Sequence, residues 1–202
     1  MITQQEIQIA RQCIKTAIDK GADSVRISLN KSVSDSITIL NGQTDKVSHA
    51  ADRSFYFYIF ADSKYGTFST NRIDEKDIND FIEGAIMMVR MLGEDAHRRL
   101  PDESRMEKNA ATGQELALYD HKYSPEDADT RISRAEILST ICAEKSVKEG
   151  YYKIISEECE YTESYDDTFL IDSQGFEGRH TETTFGLFSE MTIEDKDGNK
   201  YS

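Results

Sequence analysis

Twice along this 202-residue chain an apolar repeat with spacings of three and four stops at a glycine, and the spacing then drops to two. In the first instance Ile7, Ala10, Cys13, Ile14, Ala17 and Ile18 make one helical stripe ending at Gly21. Thr3 and Glu6 stand at capping-box spacing at its start, so the helix carries its own N-terminal signal. Val25, Ile27 and Leu29 then alternate with polar residues, and strand-like pieces follow at 36–40 and 47–52. Asn41-Gly42 marks a hairpin between them, because a two-residue type I′ turn needs positive φ at both positions. The aromatic run FYFYIF at 55–60 reads as a central strand and 66–70 as a shorter one.

The second instance opens with Ser124, Pro125 and Glu126, which read as N-cap and first turn because proline's missing N–H is harmless there. Ile132, Ala135, Leu138, Ile141 and Cys142 carry the helix to Gly150, and alternation returns at 152–160, 168–171, 179–191 and from Lys200. Between the two instances a further helix runs from Asp74, with Ile78, Phe81, Ile82, Ala85, Ile86, Val89 and Leu92 on one face, and stops before Gly93. Residues 93–111 are polar and contain Pro101.

A helix feeding a meander, rather than repeated βαβ units, predicts an α+β fold with helices packed on antiparallel meander sheets. DSITIL at 35–40, followed by Asn41-Gly42, resembles DTFLID at 167–172, followed by Ser173-Gln174-Gly175, as a duplicated helix-plus-meander unit would. The expected organisation is a helix, meander and helix over 1–93, a linker over 94–123, and a helix plus second meander over 124–202, incomplete at its C-terminal end.

Charge narrows the partners. With 24 Lys and Arg against 38 Asp and Glu, the net charge is −14, which repels a phosphate backbone and an anionic membrane alike. Neither nucleic acid nor membrane is expected as a direct partner. A chain of this size buries about 70% of its unfolded surface, enough for a core without covalent staples. Cys13, Cys142 and Cys159 are odd in number and far apart, which suits a reducing compartment, and no apolar run is long enough to span a bilayer. The expected location is the cytoplasm.

The search for chemistry returns little. His49, His97, His121 and His180 each lie more than about twenty residues from the next, so no two share a helix face at zinc-ligand spacing. Asp195-Lys196-Asp197-Gly198-Asn199 opens like a calcium loop, but Lys200 stands where the sharp turn needs glycine, so a hairpin turn is expected. Glu157, Glu158, Glu160, Glu163, Asp166 and Asp167 read as a solvated acidic surface. No nucleophile elbow, phosphate loop or dinucleotide fingerprint occurs. No catalytic, cofactor-binding or metal-binding residue is therefore assigned, and peptide-binding residues stay undefined. Ten tyrosines, including Tyr56, Tyr58, Tyr151, Tyr152, Tyr161 and Tyr165, sit on or beside expected strands, where rings pack inward and hydroxyls face out. A meander also has edges, and an exposed edge accepts an extended peptide through main-chain hydrogen bonds.

Taken in order, several segments resemble the N-terminal half of the PmbA/TldD family, whose members are described as modulators of DNA gyrase. They are KGAD at 20–23, VRISL at 25–29, SDSITILNG at 34–42, KYGTFST at 64–70, MLGED at 91–95 and RRLPDE at 98–103. LYDHKYSPEDADTRI at 118–132 and FLIDSQGFEGRHTETTFGLFSEMTIEDKDG at 169–198 complete the series. The resemblance implies a zinc metallopeptidase system for peptide processing and proteolysis, with the zinc motif in a C-terminal region or in a partner subunit and none in this chain. It further implies a second PmbA/TldD-like subunit, in a homo- or heterodimer, and an unfolded peptide as substrate. On that reading the chain is inactive alone and serves as scaffold, subunit interface and peptide-channel wall. The alternative is a free-standing module that binds a folded partner through its sheet face.

Overall fold

The computed structural model describes residues 1–72, 75–110, 112–149 and 152–202, with side chains described for all of these except 75–76 and 140–149. The expected starts and stops at Asp74 and Gly150, the end of the polar stretch at Ala111, and the side chains of Ile141 and Cys142 lie outside this description. The chain is α+β, and its elements follow in the order α1 Gln4–Asp19, β1 Ser24–Leu40, β2 Gln43–Ala61, β3 Lys64–Thr70, α2 Glu75–Arg90, α3 Ala128–Glu149, β4 Lys153–Asp172, β5 Glu177–Glu194 and β6 Lys200–Tyr201. The strands form a six-stranded sheet in the order β3-β2-β1-β4-β5-β6. Two three-strand meanders thus meet at β1 and β4, each with a helix before its first strand. The order repeats as the DSITIL and DTFLID segments suggest, but within one sheet rather than two.

Local signals explain the joints. Thr3 caps α1 in a complete capping box with Glu6. Asn41 and Gly42 hold φ of 51° and 76°, as the β1–β2 hairpin requires. The expected strand pieces fuse into strands of 17, 19, 20 and 18 residues for β1, β2, β4 and β5. The expected start of α3 is also corrected. It falls at Ala128, because the Asp127 carboxylate accepts hydrogen bonds from the Thr130 backbone N–H at 2.9 Å and hydroxyl at 3.0 Å. That pair of bonds gives Asp127 the capping role expected of Ser124.

Two compact units share these strands: one from 1–32, 52–119 and 166–182, the other from 33–51, 120–165 and 183–202. In the first, α1 and α2 cover one face of the strands. Its core joins Ile7, Ala10, Cys13 and Ala17 to Ile78, Ile82, Ala85, Ile86 and Val89, over Val25, Ile27, Leu29, Phe55, Phe57, Ile59, Phe169 and Ile171. Among the described residues, the core of the second unit joins Ile37, Ile39, Ala135, Cys159 and Tyr161, with Ile132 and Leu138 packed against it.

Candidate functional site

Strand β4 presents every second residue inward, which buries Glu157, Cys159, Tyr161, Glu163, Tyr165, Asp167, Phe169 and Ile171 in one row. The acidic cluster is therefore not the solvated surface expected. Glu157, Glu163 and Asp167 are 5%, 1% and 0% exposed, while Glu158 is exposed and Glu160 and Asp166 are half-buried. A carboxylate survives such burial only when paired and hydrogen-bonded.

In the second unit Arg131 of α3 supplies that pairing. Its guanidinium donates to Glu163 Oε1 from Nε at 3.0 Å and from Nη2 at 2.5 Å, and Nη2 also lies 3.1 Å from Asp35 Oδ2 on β1. Tyr161 donates its hydroxyl proton to Glu163 Oε2 at 3.0 Å. Burial, then the Glu163 carboxylate beside it, pushes the Tyr161 phenol well above its ordinary range, and the same two causes raise Tyr123. His49 reaches Asp35 from outside, Nδ1 to Oδ1 at 2.8 Å. One cation thus serves two carboxylates, whose lone pairs are directed at partners within the unit. Glu157 is arranged differently: Oε2 accepts from the Ser139 hydroxyl at 2.7 Å, and Oε1 is buried without a partner among the described residues.

The first unit uses its acids to tie down chain ends and turns. Asp167 accepts from Arg179 Nε at 3.0 Å and Nη2 at 2.8 Å, and its Oδ2 also takes the Ile2 backbone N–H at 2.7 Å. Asp172 accepts the backbone N–H groups of Gln174 and Phe176 in the β4–β5 turn and pairs with Arg26 at 3.1 Å. Glu6 is held by Lys31 at 2.8 Å and by the Thr3 backbone and hydroxyl. Burial alone would raise the Glu6 pKa, but these hydrogen bonds outweigh it and hold the group at about 2. Burial pushes the Cys13 thiol up to about 12, so it behaves as an inert core residue.

Two open features stand beside these ion pairs. A cleft of about 500 Å³ in the first unit runs between Leu170 and Gly178 of the sheet, Phe176 of the β4–β5 turn, and Glu107, Ala110 and Leu116 of the segment that follows α2. There Ala110 accepts the Arg179 backbone N–H at 2.8 Å, and Gly113 approaches so closely that a Cβ would lie 2.3 Å from the Arg179 carbonyl oxygen. The second feature is the outer edge of β5 in the second unit. Among the described residues its strand pairing is with β6 alone, Ile193 with Tyr201 and Glu194 with Lys200. Along the rest of that edge Phe185, Leu187 and Phe188 are 53%, 63% and 53% exposed. Tyr123 packs edge-on to Phe185 at 5.9 Å and stacks on Tyr165 at 6.5 Å, which fixes one end of this apolar run.

The remaining sequence candidates disperse. His180 is exposed beside Glu182 at 3.1 Å, and His97 and His121 sit in exposed turns. Asp195 closes the β5–β6 hairpin by accepting from the Asp197 and Asn199 backbones at 2.8 and 2.9 Å, so the segment is a turn. Tyr161 and Tyr165 are buried, Tyr58 is half-buried, Tyr56 and Tyr152 are exposed, and Tyr151 lies outside the described residues. Among the described residues no group of three or more His, Cys, Asp or Glu is placed to hold a metal ion. No helix among them is long and apolar enough to cross a membrane.

A helix-covered antiparallel sheet with this strand order is the class of domain defined so far, and comparison with known proteins gives it a family. Residues 25–89 match the family model described as PmbA/TldA metallopeptidase domain 1. Over 99% of its length the chain is similar, at 27% identity and a TM-score of 0.86, to a solved protein of Bacteroides thetaiotaomicron named as a candidate modulator of DNA gyrase. A Thermotoga maritima protein given the same description shares the fold at 14% identity and a TM-score of 0.70, and TldE of Thermococcus kodakarensis at 13% and 0.66. The chain spans 44%, 41% and 39% of these three proteins. No curated protein matches it. The family this chain resembles is thus the PmbA/TldD family, and the segment matched is its first domain.

Proposed function

We propose that this chain is the non-catalytic N-terminal portion of a PmbA/TldD-like zinc metallopeptidase system, acting in cytoplasmic peptide processing and proteolysis. Its role is that of scaffold, subunit interface and wall of a peptide channel. The observation that carries the reading is the outer edge of β5, where strand pairing among the described residues is with β6 alone and Phe185, Leu187 and Phe188 are exposed. An extended, unfolded peptide adds to such an edge through main-chain hydrogen bonds, gaining affinity with little sequence preference. A second PmbA/TldD-like subunit, or a C-terminal region, supplies the zinc chemistry. The carboxylates of this chain that are best buried answer to Arg131, Arg179 and Arg26 instead.

Incubating the isolated chain with an unfolded peptide and added zinc tests the reading. No cleavage above the zinc-only control is expected, and metal-dependent cleavage that EDTA abolishes would overturn it. The second reading, a module for a folded partner, is favoured by the same exposed apolar residues. Titration with an unfolded peptide separates the two, since a module for a folded partner leaves such a peptide unbound.

A further inference from the structure

In a chain of net charge −14, one cleft of the first unit is lined by three arginines and no acid. It has a volume of about 350 Å³ and lies between Arg26, Tyr58, Phe60, Tyr65 and Leu170 of the sheet and the segment from Arg98 to Pro101. The strand alternation explains the placement. Val25, Ile27, Phe57, Ile59 and Phe169 point into the core under α1 and α2, so Arg26, Tyr58, Phe60 and Leu170 face the opposite side. Register sets Tyr65 of β3 across from Phe60, and their rings meet at 4.9 Å. The loop that closes the cleft is anchored by buried Leu100 and by the Asp95 backbone N–H, which donates to Ser63 O at 2.8 Å.

The three cations are only partly neutralised. Arg26 gives Nη2 to Asp172 at 3.1 Å, yet its Nε is buried with no acceptor among the described residues. Arg98 stacks over the Tyr65 ring at 4.9 Å, and its nearest carboxylate, Asp95, is 3.3 Å from Nε. Arg99 has no ion-pair partner among the described residues. A planar guanidinium matches an oxyanion with paired N–H donors, and a buried donor without an acceptor is a group that a ligand oxygen satisfies. Phe60, Leu100, Pro101 and Leu170 make the rest of the wall apolar.

We propose that this cleft binds an oxyanion, a carboxylate or a phosphate, carried on an apolar body the size of one amino-acid side chain. The cleft distinguishes itself from the larger one beside Phe176, whose lining includes Glu107 and Glu115 and whose Arg179 is already bonded twice to Asp167. The inference does not depend on the peptide reading of β5, since the two features lie in different units.

The test is an NMR titration of the chain, reading arginine Nε–H resonances, with four probes: N-acetylphenylalanine, its uncharged amide, phenyl phosphate and inorganic phosphate. Saturable binding of at least one apolar oxyanion is expected, with the amide weaker by about tenfold or more, the scale of one lost hydrogen bond to a charged group. Tighter binding of the acid than of phenyl phosphate assigns a carboxylate source, and the reverse order a phosphate source. Arg98→Ala and Arg99→Ala change exposed side chains and leave the fold intact, and each weakens binding by about tenfold. Equal affinity for acid and amide, no saturable binding of either oxyanion, or unchanged binding in both variants would overturn the proposal. So would inorganic phosphate binding as tightly as phenyl phosphate, because the apolar wall would then contribute nothing.

Discussion

Strand β4 passes through both compact units with one unbroken alternation, but its inward row changes character on the way. In the first unit it contributes Phe169 and Ile171 to a core built from both helices and three strands; in the second it contributes Cys159 and Tyr161 to a core of five among the described residues, and buries Glu157 and Glu163 in the same row. The first unit has a large apolar core and divides its buried carboxylates Glu6, Asp167 and Asp172 among separate cations, Lys31, Arg179 and Arg26. In the second a single cation, Arg131, holds both Asp35 and Glu163. Two buried carboxylates that share one cation depend on it in a way that separately paired ones do not. Removing one partner of a buried pair leaves the other unsatisfied, whereas trimming an apolar side chain loses only contacts.

That contrast can be broken or sharpened, beginning with the largest effect. Arg131→Ala removes the cation shared by two buried carboxylates and is expected to destabilise the chain by about 3–5 kcal/mol in urea unfolding followed by circular dichroism. A loss below about 1 kcal/mol would mean that the network carries little and the contrast fails. Next comes acid. Glu6 has a folded pKa of about 2 against an ordinary 4.5, so it favours the folded state by up to roughly 3 kcal/mol. A lowered folded pKa makes that contribution fully present above about pH 4.5, and it is lost as pH falls toward 2. Glu6→Gln should flatten the stability–pH slope across that window.

Gly113→Ala places a Cβ against the Arg179 carbonyl at a position with φ of 65°. It should cost about 2 kcal/mol and open the 500 Å³ cleft, seen as faster amide exchange at Arg179. Arg11→Ala removes a bidentate pair with Glu177 at 2.7 and 2.8 Å on the surface of the first unit. A change below about 1 kcal/mol is expected, and a larger one would place that unit's stability at its rim after all.

What could be read from the sequence follows the range of the interaction. The Thr3–Glu6 box, the Asn41-Gly42 hairpin and the Asp195 turn are decided within six residues, and all three stand in the structure as expected. The Asp62-Ser63 turn between β2 and β3 lacks the usual glycine and gave no signal, although both residues hold positive φ. The pieces at 47–52 and 55–60 were legible separately, but not that they form one strand β2 from Gln43, because residues 43–46 are polar and exposed. The burial of Glu163 and Asp167 was hidden for another reason. What permits it is Arg131, 32 residues earlier, and Arg179, 12 residues later, and spacing alone does not show which cation reaches which acid. The period-two pattern was present in that row all along, with carboxylates and phenols where apolar residues usually mark an inward face. For the candidate site, strand edges were foreseeable from a meander, but which strand stays open follows only from the order β3-β2-β1-β4-β5-β6.

The central claim is that the outer edge of β5 receives an extended peptide. Amide hydrogen exchange along residues 183–192, measured with and without a saturating unfolded peptide, tests it most directly. The account predicts slowed exchange at alternate backbone N–H groups of this stretch, with the β3 edge unaffected. Unchanged exchange along 183–192 at saturation would contradict it.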